Sequence, residues 1–246
     1  MKVLHIVRHA KAVSNDRGCS DFGRALTKKG VEAVCVVARR LRKGGFTADH
    51  MISSPATRAR KTARIFAKEF EYPAKQIELC KTIYDGADNK SLLSLVQSIP
   101  ATASAAFLFG HDPAFSDFAR HLTGDLEKTM PKGGVVTVAF DTDSWADAGP
   151  GRCRLLLFDY PMSKGNEARR IKPLRREFAT LFAATMYEKL KELDPRAADK
   201  IKPYMTKTMR KVAARFLELA PHLTRIVGKG GEEHRGDERV QPGTDS

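Results

Sequence analysis

The first 160 residues alternate between short apolar runs and longer stretches whose apolar residues recur at helical spacing. Residues 3–7 are a run with β-branched residues that stops at polar positions, as a buried strand does. Leu26-Thr27-Lys28-Lys29-Gly30 then opens a segment to about Lys43 with Val31, Val34, Val37, Ala38 and Leu41 on one face. Gly44-Gly45 ends that helix. A second strand is predicted over 50–53, and Pro55 suits the first turn of a helix to about Phe70. Residues 77–79 read as a third strand, and Asp88 as the N-cap of a helix through Leu92, Leu93 and Val96. Residues 105–109 form a fourth strand that lands on Gly110-His111-Asp112-Pro113, followed by a helix over about 114–122. Late strands at 135–140 and 154–158 flank a Gly/Pro/Asp-rich turn and can pair as a hairpin.

Strand–helix alternation at this spacing predicts an α/β fold: a three-layer α/β/α sandwich with a mainly parallel central sheet. After Tyr160-Pro161 the pattern changes. Residues 167–193 and 203–227 are helical in period with no strand pattern, which predicts a C-terminal helical extension. Residues 228–246 are Gly-rich, charged and nearly devoid of apolar side chains, the composition of a disordered tail. The expected division is thus a domain over 1–162, a basic helical extension over 163–227 and a tail over 228–246.

Composition narrows the class. At 246 residues with 42% hydrophobic and 8% aromatic content, the chain can bury a core without disulfide or metal staples. No apolar run approaches the roughly 20 residues of a membrane span. Arg8 and His9 follow the first apolar run too soon for a signal peptide, and the expectation is a cytoplasmic protein without membrane contact. Cys19, Cys35, Cys80 and Cys153 lie far apart with no C-x-x-C pair, so they read as reduced thiols. The formal charge is +14, and +6 of it lies from Gly165 onward. Between Ile201 and Lys229 seven basic residues face one acidic one. A solvated helical face wrapped on the first domain is the simplest reading; a polyanion contact through 201–229 and a protein-docking element are the others. Aromatics do not interleave with the basic residues there, so no specific nucleic-acid partner is expected.

The candidate chemistry lies at strand ends. In an open parallel sheet the ligand crevice lies outside the carboxyl ends of the strands. Arg8-His9 follows the first strand, Ser53-Ser54-Pro55-Ala56-Thr57-Arg58 the second, Gly110-His111 the fourth, and Arg24 sits in the loop after the first. Two imidazoles among three guanidiniums make a pocket for a dianionic phosphoryl group, because forked donors match its oxygens. One imidazole is then free to attack phosphorus. His5, His50 and His121 read as structural, Cys19 as incidental, and Phe178, Phe182, Met186 and Tyr187 as the packing face of the extra helices.

Four motifs occur in order: Val7-Arg8-His9-Ala10-Lys11-Ala12; Arg24-Ala25-Leu26-Thr27-Lys28-Lys29-Gly30; Ser53-Ser54-Pro55-Ala56-Thr57-Arg58-Ala59 with Thr62-Ala63; and Gly110-His111-Asp112-Pro113. Together they resemble the histidine phosphatase superfamily, with its phosphoglycerate-mutase-like fold, and more closely its SixA-like phosphohistidine phosphatase branch. The resemblance covers roughly residues 1–160. It implies that His9 is the nucleophile and forms a phosphohistidine, that Arg8 and Arg58 grip the phosphoryl oxygens, and that His111 helps hold the transferring group. It further implies a phosphate contact for Arg24 and, by its place six residues after His9, for Asn15.

Phosphoryl transfer asks a protein mainly for positioning and charge stabilisation, so no metal and no cofactor is called for. The second ring nitrogen of His9 must donate to a partner, such as a backbone carbonyl, to fix the tautomer. Larger relatives of the resembled family carry a general acid after the third strand. Here Tyr84-Asp85-Gly86-Ala87-Asp88 offers Asp85, with Asp88 better suited as a helix cap. The expected function is a metal-independent phosphatase acting on phosphohistidine protein or a similar substrate. A small-molecule phosphomonoesterase using Asp85 as acid, and a non-catalytic phosphate- or polyanion-binding module, are the competing expectations. The partner is accordingly a phosphorylated protein or a small phosphorylated molecule.

Overall fold

The computed structural model describes residues 1–14, 20–124, 126, 129–162 and 164–219. Asn15, Cys19 and the tail expected over 228–246 therefore lie outside the described residues. Among the described residues six strands form one sheet: β1 (Lys2–Arg8), β2 (His50–Ser53), β3 (Glu78–Leu79), β4 (Ala105–Gly110), β5 (Val135–Phe140) and β6 (Cys153–Asp159). Their order is β3-β2-β4-β1-β5-β6. β3, β2, β4 and β1 run parallel, whereas β5 is antiparallel to both β1 and β6. The mainly parallel sheet is present, and the late strands do pair as a hairpin at one edge.

Helices α1 (Lys28–Lys43) and α2 (Thr57–Glu69) cover one face; α3 (Asn89–Gln97) and α4 (Ala114–Thr123) cover the other. Val34, Val37, Leu41 and Phe66 pack on Met51, Phe107 and Phe109. Leu92, Val96, Phe115, Phe118 and Leu122 pack on Leu4, Ile6, Leu108 and Val138. β4 shows why the sheet is sandwiched. Its Ala106 and Leu108 enter one layer and its Phe107 and Phe109 the other, and every residue of the strand is buried.

Two motif glycines answer to packing. Thr27 caps α1 by accepting from the Gly30 N–H at 3.0 Å, which seats the first turn of the helix beside Lys11. A Cβ at Gly30 would overlap the Lys11 carbonyl, and one at Gly110 would overlap the ring of Phe115 and lie 2.7 Å from Ile83. The spacing from Thr27 to Gly30 and the glycine before His111 are thus requirements for close approach.

Three boundaries differ from the sequence expectation. Pro55 precedes the helix, since α2 starts at Thr57 with Ala56 as N-cap. β3 is only Glu78–Leu79, exposed at the sheet edge, where few contacts extend it. The last helix α6 (Pro195–Leu219) contains Pro203 instead of starting there. Asp194 caps it through the N–H groups of Arg196 and Ala197 at 2.9 and 3.0 Å, and Pro195 takes the first position, where no hydrogen bond is lost.

The helical extension, α5 (Lys164–Leu193) and α6, packs chiefly upon itself, through Phe178, Phe182 and Phe216. Among the described residues, the paired aromatics supply a partner surface within the extension. Lys202, Lys207, Arg210 and Lys211 are exposed along α6, while residues 220–229 of the basic stretch lie outside the described residues. No helix among the described residues is long and apolar enough to cross a membrane. Cys35, Cys80 and Cys153 are free thiols.

His5 is a structural histidine at the centre of the sheet. It is fully buried, stacks on Phe107 with centroids 4.1 Å apart, and shares a hydrogen bond of 2.8 Å with Thr137 through Nδ1. Burial pushes its pKa from 6.5 down to about 3. Between those values the unfolded chain takes up a proton that the folded chain refuses, so stability falls as the pH drops through that window. Each pH unit costs about 1.4 kcal/mol for such a group. Chemical denaturation from pH 6.5 to 4.5 is expected to show this loss, with a smaller slope in His5→Phe. An equal slope in both proteins would refute the assignment.

Candidate active site

The site is built where three neighbouring parallel strands end. The His9 N–H donates to the Gly110 carbonyl at 3.0 Å, and the Ser54 N–H to the Phe109 carbonyl at 2.9 Å. These bonds carry the ladder one residue past β1 and β2 and bring His9, Ser54 and His111 to one edge. The rings of His9 and His111 lie 5.2 Å apart. Arg58, in the first turn of α2, is 6% exposed and His9 7%. Thr62 ties α2 to this edge: its hydroxyl donates to the Arg58 carbonyl at 2.8 Å and accepts from the Ala10 N–H at 3.1 Å.

His9 Nδ1–H donates to the Ala10 carbonyl at 2.7 Å. A carbonyl only accepts, so Nδ1 carries the proton and Nε2 keeps its lone pair. Burial lowers the His9 pKa; the Ala10 hydrogen bond opposes this, and the charges of Arg58, Arg8 and Arg24 reinforce it, leaving about 4. His111 is pushed down to about 3 by burial, then by Arg58 and His9. Both rings are thus neutral near pH 7. His111 Nε2 lies 2.8 Å from the buried Ser54 hydroxyl, and the Tyr84 ring meets His111 edge-on at 5.9 Å.

The guanidiniums are held by carboxylates. Arg8 donates through Nη1 to the Met130 carbonyl and pairs with Asp112 at 3.1 Å. Asp112 also accepts from Ser116 at 2.8 Å. Asp21 takes Arg24 Nε and Nη2 on one oxygen, at 2.9 and 2.6 Å, and Arg58 Nη2 on the other, at 2.9 Å. Partial desolvation acts to raise the Asp21 pKa, but hydrogen bonds and charge from Arg24 and Arg58 outweigh it, leaving the carboxyl below its ordinary value. Among the described residues, Arg8 Nε, Arg58 Nε and His111 Nδ1 are buried without a hydrogen-bond partner. Buried donors are normally satisfied, so the two guanidinium Nε groups left without a partner at this edge fit an oxyanion.

Arg8, His9, Arg24, Arg58 and His111 are thereby brought together. Asp85 is not. It is exposed, and its ionic partner is Lys81 at 3.9 Å. Tyr84 takes the inward position of that turn, with its hydroxyl 3.5 Å from Asp21, and the next residue projects to solvent. Asp88 caps α3, as expected. Three residues given no role from the sequence turn out to hold the site: Ser54, Asp112 and Asp21. Ser54 and Asp112 sit inside quoted motifs, and Asp21 stands three residues before Arg24 in a 3-10 turn, the one local signal that linked them. No cluster of three or more His, Cys, Asp or Glu side chains able to hold a metal ion occurs among the described residues. An NMR titration of the His9 ring is expected to give a midpoint near 4; a midpoint near 6.5 would contradict this environment.

Comparisons with known proteins bear on the family resemblance and the fold. The family model of the histidine phosphatase superfamily (branch 1) matches residues 4–84. The uncharacterised Mycobacterium tuberculosis protein Rv1276c is 26% identical over 165 residues, covering 63% of this chain and 99% of that one. Among solved structures, a Nakamurella multipartitia protein assigned as the phosphohistidine phosphatase SixA aligns with a TM-score of 0.55 at 24% identity, over 66% of this chain and 97% of that chain. The protein histidine phosphatase SixA complexed with tungstate aligns with a TM-score of 0.55 at 19% identity, over 67% and 99%. These structures share the fold. Residues 4–84 are thus similar to the histidine phosphatase superfamily (branch 1), and the chain shares its fold with these phosphatase structures.

Proposed function

We propose that the chain removes a phosphoryl group through transient phosphorylation of His9 Nε2. The observation that carries this reading is the His9 ring, neutral and anchored through Nδ1 with Nε2 unprotonated. The Nε2 lone pair attacks phosphorus, the bond to the leaving group breaks, and that group departs with the electron pair. Water then attacks phosphorus, the N–P bond breaks, and orthophosphate and neutral imidazole are released. Arg8, Arg58 and His111 offer donors to the oxygens on which the transition state spreads its charge. Arg24 stands behind them through Asp21.

Among the described residues, the carboxylates near the site are engaged or turned away, and the substrate class is read from them. Asp21 is held ionised by two arginines, and Asp85 points to solvent beside Lys81. A leaving alkoxide needs a proton donor, whereas an imidazole or a phenolate leaves with less help. This favours a phosphohistidine protein, or a substrate with a similarly good leaving group, over a sugar phosphate. Asn15 remains a candidate phosphate contact by its place in the sequence.

The test is a panel of phosphohistidine peptide, aryl phosphate and sugar phosphate, assayed without added metal for the wild type and His9→Ala. The expected result is phosphate release from the first two, with a loss of about 10³-fold or more in the variant. Equal background rates in both proteins would leave only a phosphate-binding module. Faster turnover of the sugar phosphate, lost in Asp85→Asn, would restore the phosphomonoesterase reading with Asp85 as acid.

A further inference from the structure

His9, His111, Arg8 and Arg58 share one arrangement: each is tied through one or two nitrogens and leaves another without a protein partner. His9 is tied at Nδ1 and His111 at Nε2. Arg8 is tied at Nη1 by Asp112 and the Met130 carbonyl, and its Nε has no partner. Arg58 is tied at both terminal nitrogens by a single residue, Asp21. Its Nη1 donates to the Asp21 carbonyl at 2.6 Å, its Nη2 donates to the carboxylate at 2.9 Å, and its Nε is left vacant.

A guanidinium has two forks, one at its end between the two Nη groups and one at its side between Nε and the adjacent Nη. Asp21 consumes the end fork of Arg58 and leaves the side fork, the one that contains the vacant Nε. Arg24 braces the same carboxylate from the other oxygen, and its own Nη1 is fixed on the Val13 carbonyl at 3.1 Å. The turn that carries Asp21 is packed as well: Phe22 meets Tyr84 edge-on at 5.1 Å, and Tyr84 in turn meets His111.

We propose that Asp21 is a positioning residue that grips the end of Arg58, with Arg24 as its brace, so that the side fork of Arg58 faces the phosphoryl oxygens. This deepens the phosphatase reading and rests on it for the identity of the anion. The opposite role would be a competitor, a carboxylate that fills the anion site and is expelled by substrate. Two observations favour positioning. One of the two bonds to Arg58 comes from the Asp21 backbone carbonyl, which no side-chain rotation removes. The other is that the vacant Nε is untouched by the carboxylate.

The experiment measures the affinity for inorganic phosphate by calorimetry in wild type, Asp21→Ala and Asp21→Asn, with thermal unfolding recorded without ligand. Positioning predicts that Asp21→Ala binds phosphate at least about 10-fold more weakly per folded molecule, as for other groups that orient a ligand's direct contacts. Asp21→Asn, whose amide oxygen still accepts from Arg58, is expected to recover part of that loss. Unchanged or tighter binding in Asp21→Ala overturns the proposal, since a bystander or competitor would give it. Where Asp21→Ala fails to fold, Asp21→Asn decides: weaker binding than wild type supports positioning, and equal or tighter binding overturns it. The phosphatase reading fails separately, by equal turnover in wild type and His9→Ala, and the phosphate affinities would still report on Asp21.

Discussion

Two backbone hydrogen bonds just beyond the strand ends, His9 to Gly110 and Ser54 to Phe109, fix the register of three strand tips that come from distant parts of the chain. Because β2, β4 and β1 are parallel neighbours, their carboxyl ends fall on the same edge of the sheet. A slip of one residue would turn His9 toward the opposite face. The cost of holding that register is met by the core, where Phe107 and Phe109 point into one layer and Leu108 into the other. The same approach of chains leaves no room for a side chain at Gly110.

On that frame the electrostatics follow from burial. Three guanidiniums at one edge would repel each other strongly without counter-charge, and Asp112 and Asp21 supply it. The imidazoles cannot share that role; they are buried beside positive charge and stay neutral. In the mechanism proposed above, the neutral ring with its proton fixed on Nδ1 is the nucleophile, and Arg8 and Arg58 keep a vacant Nε for an incoming oxyanion. Donors ordered before the reaction need no rearrangement when charge develops, which is how such sites lower barriers.

Much of this was legible in the sequence for a definite reason. Strands buried on both faces leave short apolar runs, and candidate groups at strand tips fall directly after those runs, as Arg8-His9 and Gly110-His111 do. The anchors were harder to see. Ser54, Asp112 and Asp21 act on His111, Arg8 and Arg58, which come close only when the loops close, so apart from the three-residue step from Asp21 to Arg24 no spacing announces them. Asp85 and Tyr84 show the limit of position alone: adjacent residues in one turn point opposite ways, and the tyrosine faces the site. In the extension the helical period was readable, but the pairing of Phe178 and Phe182 with Phe216 was not. Pro203 marked a helix start by propensity, and the stronger Asp194-Pro195 cap set the start upstream.

The account turns on His9 Nε2 as the atom that takes the phosphoryl group. Rapid quenching of the protein at alkaline pH during turnover of an aryl phosphate, followed by peptide mass spectrometry, tests that most directly. The account predicts an acid-labile phosphate on His9 that disappears as substrate is exhausted and is absent from His9→Ala. Turnover at full rate with no phosphate on His9, or with phosphate on His111 instead, would contradict it.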